Sequence, residues 1–474
     1  MTLSRARMLE RAKARDAAFD GIFLTGVTST GIYCLPSCPA RSPKPENVVH
    51  FKTPKEARTA GLRGCLRCRP DDFYKGYDPD EDLAATLARE VVGEPAKFAD
   101  VAALVARAGV RTTKLHAIFR EHFHSTPAAF LARARIASAC ASLRAGRRVL
   151  DASLDAGFES SSAFYANFAP RVGMAPDAYR RLGRAASFTL SLPAGFRADE
   201  WLAYVGRDQA GPCERVFGAH VYKAFAWEGE GAVLHFELRE GEVRCKVEGA
   251  APTPARAFAA HALAVASLNL DAEPGLFEAR AGKLQRLVRR RPGLRVPRTF
   301  EPFEALVWTV AGQQVTVSFA TTLRRRVIEA FGTKVGDMRA HPTPSQLAAI
   351  APADLRARQF STRKAEYLID AAAAMVRGDF VLTPSLEEPA PRVRRRILAQ
   401  RGFGAWSASY VLMRGYGFAD CAPAGDVGLQ AALQRAFGLD ERPDEVATGD
   451  LMRPFAPYRS YATYHLWCSL GDPA

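Results

Sequence analysis

The chain has 474 residues, 48% hydrophobic and 24% charged, which excludes wholesale disorder and leaves room for about three domains at roughly 150 residues each. Lys and Arg outnumber Asp and Glu by 65 to 50, and the resulting +15 favours an anionic partner, nucleic acid first. No apolar run approaches the roughly 20 residues of a membrane span, and residues 1–20 carry charge without a signal core, so a cytoplasmic protein with no membrane partner is expected.

Residues 1–78 are loop-rich and end in the turn-like Gly76-Tyr77-Asp78-Pro79. Four of the nine cysteines stand here: Cys34 and Cys38 form a C-x3-C pair, and Cys65 and Cys68 a C-x2-C pair, with 26 residues between the pairs. An odd count with four clustered early is no disulfide framework, and a reducing compartment makes the cluster a set of metal ligands. Four thiolates so arranged suit tetrahedral Zn²⁺, which has no ligand-field preference and favours soft sulfur.

The stretches Thr30-Gly31-Ile32-Tyr33-Cys34, Pro36-Ser37-Cys38-Pro39-Ala40-Arg41, Glu46-Asn47-Val48 and Arg67-Cys68-Arg69-Pro70-Asp71 resemble the Ada-type methyl phosphotriester transferase domain. The likeness covers nearly all of residues 1–78. It implies one zinc on Cys34, Cys38, Cys65 and Cys68, Cys34 as methyl acceptor, and Arg41 on DNA. Charge makes the chemistry reasonable. Four thiolates outweigh the two charges of Zn²⁺, so a sulfur stays nucleophilic without a base while the centre repels the DNA backbone. A neutral methyl phosphotriester can approach, and its methyl removes one negative charge, which should strengthen DNA binding.

Residues 79–185 read as consecutive short helices punctuated by Gly109, Gly146, Gly157 and Gly173. Val101 to Gly109 followed by Thr112 to Phe119 reads helix, glycine turn, helix, and Val149 to Phe158 followed by Ser160 to Phe168 repeats it. With Gly173-Met174-Ala175-Pro176 and Tyr179-Arg180, the segment resembles the AraC-type double helix-turn-helix. That likeness places each second helix in a major groove, with Thr112, Thr113, Lys114, His116, Ser161, Ser162 and Asn167 toward DNA. Phe119, Phe164 and Phe168 are expected in the core.

Residues 186–298 change character: Ser187 to Leu192, Ala232 to Leu238 and Val243 to Val247 alternate like strands, and Ala255 to Ala266 is helical. Pro212-Cys213-Glu214-Arg215 is close to the Pro-Cys-His-Arg motif of O6-methylguanine transferases. The histidine needed to draw the thiol proton is Glu214 here, so Cys213 reads as an ordinary cysteine. Arginine triplets at 289–291, 324–326 and 394–396 read as solvated helix faces.

Residues 299–474 return to helical periodicity. Ile397 to Tyr410 contains the hairpin Gly402-Phe403-Gly404, whose glycines let backbone amides approach a phosphate. Twenty-two residues after Gly404 stands Asp426. The hairpin, Gly425-Asp426 and the segment Tyr458 to Trp467 resemble the helix-hairpin-helix DNA glycosylases. Arg291-Pro292-Gly293-Leu294 and Gly312-Gln313-Gln314-Val315 point to the AlkA-type 3-methyladenine DNA glycosylase II branch, with residues 186–298 as its α+β domain.

In that likeness Asp426 is the catalytic carboxylate, facing an oxocarbenium-like sugar and orienting water. Trp406 and Tyr410, four apart on one helix face, would stack on an extruded base. Gln314 takes the place of the family's intercalating wedge. Relatives that also cut the strand carry a lysine where Trp406, Ser407, Ala408 and Ser409 stand, so a monofunctional glycosylase is implied. No four-cysteine set follows Asp426, which excludes an iron–sulfur cluster, and the hairpin is a place for a monovalent cation.

The whole therefore reads as a multidomain chain, mainly α with α+β parts: a zinc domain at 1–78, a double helix-turn-helix at 79–185, an α+β domain at 186–298 and a helix-hairpin-helix domain at 299–474. The function implied is repair of alkylated bases coupled to a methyl-switched transcriptional response. Its partners are double-stranded DNA, in the form of alkylated bases, methyl phosphotriesters and promoter sites, together with RNA polymerase, at the nucleoid. Two narrower readings stay open: a repair enzyme whose front half only tethers it to DNA, and a regulator whose glycosylase half is degenerate.

Overall fold

The computed structural model describes residues 3–16, 19–249 and 253–472. It divides into two compact units, residues 1–83 and 84–474. Among the described residues no helix is long and apolar enough to cross a membrane.

In the smaller unit, helix Arg5–Lys13 is capped by the Ser4 hydroxyl and followed by a four-stranded sheet. Across the sheet the order is Val48–Phe51, Leu24–Val27, Ile32–Cys34, Arg63–Gly64, with only the last pair parallel. Gly26 has no room for a side chain, since a Cβ would lie 2.6 Å from the Phe51 ring and 2.8 Å from Leu62. The core is little more than Leu24, Tyr33, Leu35, Ala57 and Leu62. Burial on that scale leaves a domain this small dependent on a staple.

The larger unit begins with the expected helices. Asp100 caps Val101–Ala108, Ser160 caps Ser161–Val172, and Gly109 and Gly173 close their helices at φ +64° and +75°. Such left-handed closures favour glycine, and they are the punctuation visible in the sequence. Thr112–Phe123 and Ser161–Val172 are the second helices of the two pairs, joined by the long Pro127–Arg144. Phe119, Phe164 and Phe168 are fully buried, as expected.

A five-stranded antiparallel sheet follows, in the order Ser187–Ser191, Glu242–Glu248, Glu230–Arg239, His220–Trp227, Glu214–Phe217. The three expected strands are present. The last two of that order went unread in the sequence. Lys223 is a buried cation in an otherwise apolar position, and it hides the alternation. The second helix pair and the sheet share one core, in which Phe168 and Tyr179 sit with Phe188, Leu190 and Leu268. The His261 ring nitrogen Nε2 donates to the Val172 carbonyl at 2.8 Å, and the Ser191 amide to the Gly173 carbonyl at 2.6 Å.

The remaining helices, from Pro302–Gly312 to Arg459–Ser469, form a largely α-helical layer with cores of their own. The first helix pair meets this layer at His124, whose Nδ1 accepts the Asp420 amide at 3.0 Å.

The arginine triplets are not simply solvated faces. Arg324 makes a two-pronged pair with Glu214 at 2.7 and 3.1 Å, and Lys223 bridges Glu214 and Glu304 at 2.7 and 2.9 Å. Arg325 pairs with Asp208, and Arg291 with Glu200 and Asp472. Arg394 donates to Ser409 at 3.2 Å, and Arg396 to the Val381 carbonyl at 2.7 Å. Arg324 and Lys223 tie the sheet to the helices, because carboxylates distant along the chain or on another element meet them where water is excluded. Glu214, which spoils the transferase motif, is one such carboxylate. Cys213 is fully buried, and burial pushes its thiol up to about 12.

Candidate functional site

In the smaller unit, Cys34 ends strand Ile32–Cys34 and Cys65 directly follows Arg63–Gly64, so parallel pairing of the two strands brings the halves of the motif together. Tight turns return Cys38 and Cys68 to the same point: the Cys38 amide donates to the Leu35 carbonyl at 3.1 Å, and the Arg69 amide to the Cys65 carbonyl at 2.9 Å. All four sulfurs lie within 4.8 Å of one another. Four soft donors with no competing carboxylate fit Zn²⁺, and this is the candidate metal centre of the unit.

The sulfurs are not equivalent. Cys68 accepts the Leu35 amide at 3.3 Å and Cys65 the Arg67 amide at 3.4 Å, while Cys38 accepts from Ala40. Among the described residues no backbone amide donates to Cys34, which is also only half-buried. Amide donors draw charge from a thiolate, so Cys34, half-buried like Cys68, keeps the most electron-rich sulfur of the set. The loop between Cys34 and Cys38 is pinned by Ser37, whose hydroxyl donates to Asp20 at 2.6 Å. Arg41 is exposed.

In the larger unit, Asp426 caps helix Val427–Phe437 through a 2.8 Å bond from the Leu429 amide to Oδ1. The Trp406 indole donates to Oδ2 at 3.0 Å and the Trp467 indole to Oδ1 at 3.0 Å. Tyr410 stands between these rings, with centroids 5.9 Å from Trp406 and 6.2 Å from Trp467. Trp406 is half-buried and Tyr410 buried, so the two are neighbours as expected, but Trp406 also grips the carboxylate.

Tyr410 is also part of the wall of a polar cavity of about 60 Å³ between the sheet and the helices. The wall includes Tyr204, Arg207, Trp308 and Arg414. Arg414 lies in a π-helical turn, Leu412–Tyr416, with its guanidinium carbon 4.1 Å from the Tyr204 ring centroid; that of Arg207 lies 4.2 Å from the same ring and 4.7 Å from Trp308. Only 1% of Arg414 is exposed, yet among the described residues its Nε and Nη2 find no hydrogen-bond partner, so the cavity retains unspent donors. Burial raises the Tyr204 phenol, but the two guanidinium groups outweigh it and hold the phenol below its ordinary range. Tyr204, Arg207, Arg414 and the role of Trp467 escaped the sequence reading. The first two lie over 200 residues before Asp426 in a segment with no motif, and only Trp467 stood in a stretch already singled out.

The hairpin is built as expected. Gly402 has φ +90°, and a Cβ there would lie 2.2 Å from the Tyr367 ring, while Gly404 begins helix Ala405–Val411 with open space around it. Gln313 Nε2 donates to the Gly402 carbonyl at 2.8 Å and ties the hairpin to the preceding loop. Gln314, at the exposed tip of that loop, adopts φ +55°, a conformation uncommon for a residue with a Cβ. Val317, three residues on, is 71% exposed. Thr112, Thr113, Lys114, Ser161 and Ser162 are exposed at the starts of their helices. Asn167 is spent on its own helix, donating to the Ala163 carbonyl at 2.9 Å.

Three family profiles match in order: the metal binding domain of Ada over residues 7–71, a helix-turn-helix domain over 104–182, and the HhH-GPD superfamily base excision DNA repair protein over 307–457. A probable bifunctional transcriptional activator/DNA repair enzyme AlkA of Mycobacterium tuberculosis is 28% identical, covering 98% of this chain and 97% of its own. A DNA-3-methyladenine glycosylase of Bacillus subtilis is 31% identical over 42% of this chain and 68% of its own. Among solved structures, a 3-methyladenine DNA-glycosylase from Archaeoglobus fulgidus shares the fold, with TM-score 0.52 at 18% identity, over 60% of this chain and 97% of its own.

Proposed function

The chain belongs to the DNA-3-methyladenine glycosylases, and from that premise we propose that its larger unit hydrolyses the N-glycosidic bond of alkylated bases, of the 3-methyladenine type, in double-stranded DNA. The observation that carries the reading is the Asp426 carboxylate, held by neutral donors and flanked by Trp406, Tyr410 and Trp467.

Alkylation at N3 or N7 makes a purine cationic and a good leaving group. The bond from C1′ to the base nitrogen breaks, its electron pair goes to the base, and positive charge develops on the sugar. Asp426 faces that charge, and water adds at C1′ as its proton passes to the carboxylate. Fixed charge aimed at a developing cation in a dry site is the largest catalytic contribution available here. Trp406 and Tyr410 offer ring faces to the extruded base. Gly402 and Gly404 let the hairpin amides meet a phosphate, and Gln314 fills the gap left in the duplex. With Trp406, Ser407, Ala408 and Ser409 in place of a lysine, no Schiff base forms and the product is an unnicked abasic site. A monovalent cation at the hairpin would be held by backbone carbonyls, that of Gly402 already accepting one hydrogen bond from Gln313.

For the smaller unit we read a stoichiometric methyl transfer. The Cys34 sulfur attacks the methyl carbon of a phosphotriester. The S–C bond forms as the C–O bond breaks, and the electron pair returns to the phosphate oxygen, restoring the diester anion. Bound zinc supplies the field that keeps a sulfur deprotonated without a base. Conversion of Cys34 to a neutral thioether removes one negative charge opposite DNA, where Arg41 is a further contact, and tightens binding. The exposed Thr112, Thr113, Lys114, Ser161 and Ser162 then read a promoter, where RNA polymerase is the partner to be recruited, at the nucleoid in the cytoplasm. In this scheme the domains are residues 1–78, 79–185, 186–298 and 299–474.

The test is one duplex carrying a 3-methyladenine and a methyl phosphotriester. Free 3-methyladenine should appear with turnover, and mass spectrometry should find one methyl per chain on Cys34. A methyl on Cys213, or base release with strand nicking and borohydride-trappable adducts, would refute the corresponding half.

A further inference from the structure

Asp426 is gripped by two tryptophans that reach it from separate helices, Ala405–Val411 and Arg459–Ser469, each through its indole N–H at 3.0 Å and each on a different carboxylate oxygen. With the Leu429 amide at 2.8 Å, three donors determine the plane of the carboxylate. All three are neutral, and no cation pairs with Asp426 among the described residues. An arginine or lysine would orient the group equally well but would cancel the charge that has to face a cationic sugar. An indole N–H can only donate, so it neither titrates nor takes a proton from the reaction. The packing leaves space for this arrangement at Gly428, where a Cβ would lie 3.1 Å from Asp426 Oδ1 and 3.7 Å from the Trp467 ring.

We propose that Trp406 and Trp467 are positioning residues, a neutral double-indole clamp that aims Asp426 with its negative charge intact, and that Trp406 acts chiefly through its N–H and not through its ring face. The inference rests on the glycosylase reading and adds to it a role for Trp467 and a different role for Trp406.

Phenylalanine keeps a stacking six-membered ring and deletes the N–H together with part of the indole, and the second readout separates loss of the donor from loss of volume. Trp406→Phe and Trp467→Phe should each slow single-turnover release of 3-methyladenine about tenfold or more, the usual scale for a hydrogen bond to a charged group. The second readout is binding to two abasic-site analogues in duplex DNA, a cationic pyrrolidine and a neutral tetrahydrofuran. Wild type should prefer the cation, and both variants should lose that preference while holding the neutral analogue as before. The ratio is taken within each variant, so a partly misfolded preparation does not disturb it. An unchanged ratio, or equal weakening toward both analogues, would overturn the clamp while wild-type excision still upheld the glycosylase. If wild type itself neither excised the base nor preferred the cation, the glycosylase reading would fail and the clamp with it.

Discussion

The two candidate centres are built in opposite ways. The thiolate centre draws its four ligands from 35 consecutive residues, with two short strands and two turns to bring them together. Asp426 depends on Trp406, Trp467 and Tyr410 from other helices, and its neighbouring cavity on Tyr204 and Arg207 from beyond the sheet. A site of identical ligands at short spacing belongs to a unit with almost no core, and the metal is its core. A site resting on one carboxylate needs a large unit around it, because charge without a partner is useful only where packing holds it still.

Metal removal tests that contrast most severely. Cys65→Ser should abolish tight zinc binding and unfold residues 1–83, since apparent binding energies of structural zinc run to about 10 kcal/mol or more. Metal analysis and limited proteolysis would show it, and base excision should persist. In the larger unit the nearest counterpart is the buried charge cluster. Glu214→Ala removes the carboxylate that Arg324 grips, leaves Lys223 with Glu304 alone, and should cost about 3–5 kcal/mol in chemical denaturation, with zinc content unchanged. A loss below 1 kcal/mol would mean that the sheet and helices are held by apolar packing alone.

Asp426→Asn should leave both units folded and lower excision at least about a hundredfold in single turnover, with DNA affinity nearly constant. Undiminished excision would remove Asp426 from the mechanism. The smallest effect concerns His261, lowered to about 4 by burial, where the helix-turn-helix meets the sheet. Its folded value lies below the ordinary 6.5, so the unfolded chain takes the proton first. Stability is full above pH 6.5 and falls as the pH drops toward 4. His261→Gln should flatten part of that slope, by about 1–2 kcal/mol at pH 5. Parallel denaturation curves at pH 7 and 5 decide it, and identical slopes would assign the acid sensitivity to other groups.

Much was legible along the chain because it is local. Cysteine spacing, glycines at left-handed helix ends and the Gly402-Phe403-Gly404 hairpin each express a constraint between residues a few positions apart. The same holds for Asp426, whose place at a helix start after a glycine is written in its neighbours. The reading failed where a residue's meaning comes from a distant partner. Two of the arginine triplets looked like surface because their carboxylates, Glu214, Asp208 and Asp472, lie 110 or more positions away, and strand His220–Trp227 was hidden by Lys223, whose partner Glu304 lies 81 positions on.

The sequence by itself determined which chemistries this protein carries: soft ligands for one metal, helices for a duplex and one carboxylate after a hairpin. Only the tertiary structure decided that, among the described residues, Cys34 is the sulfur without an amide donor, that Trp467 and Trp406 share the carboxylate, and that Tyr204, Arg207 and Arg414 crowd the cavity beside it. Hydrogen bonding and desolvation depend on distance in space, and folding sets that distance freely of the distance along the chain.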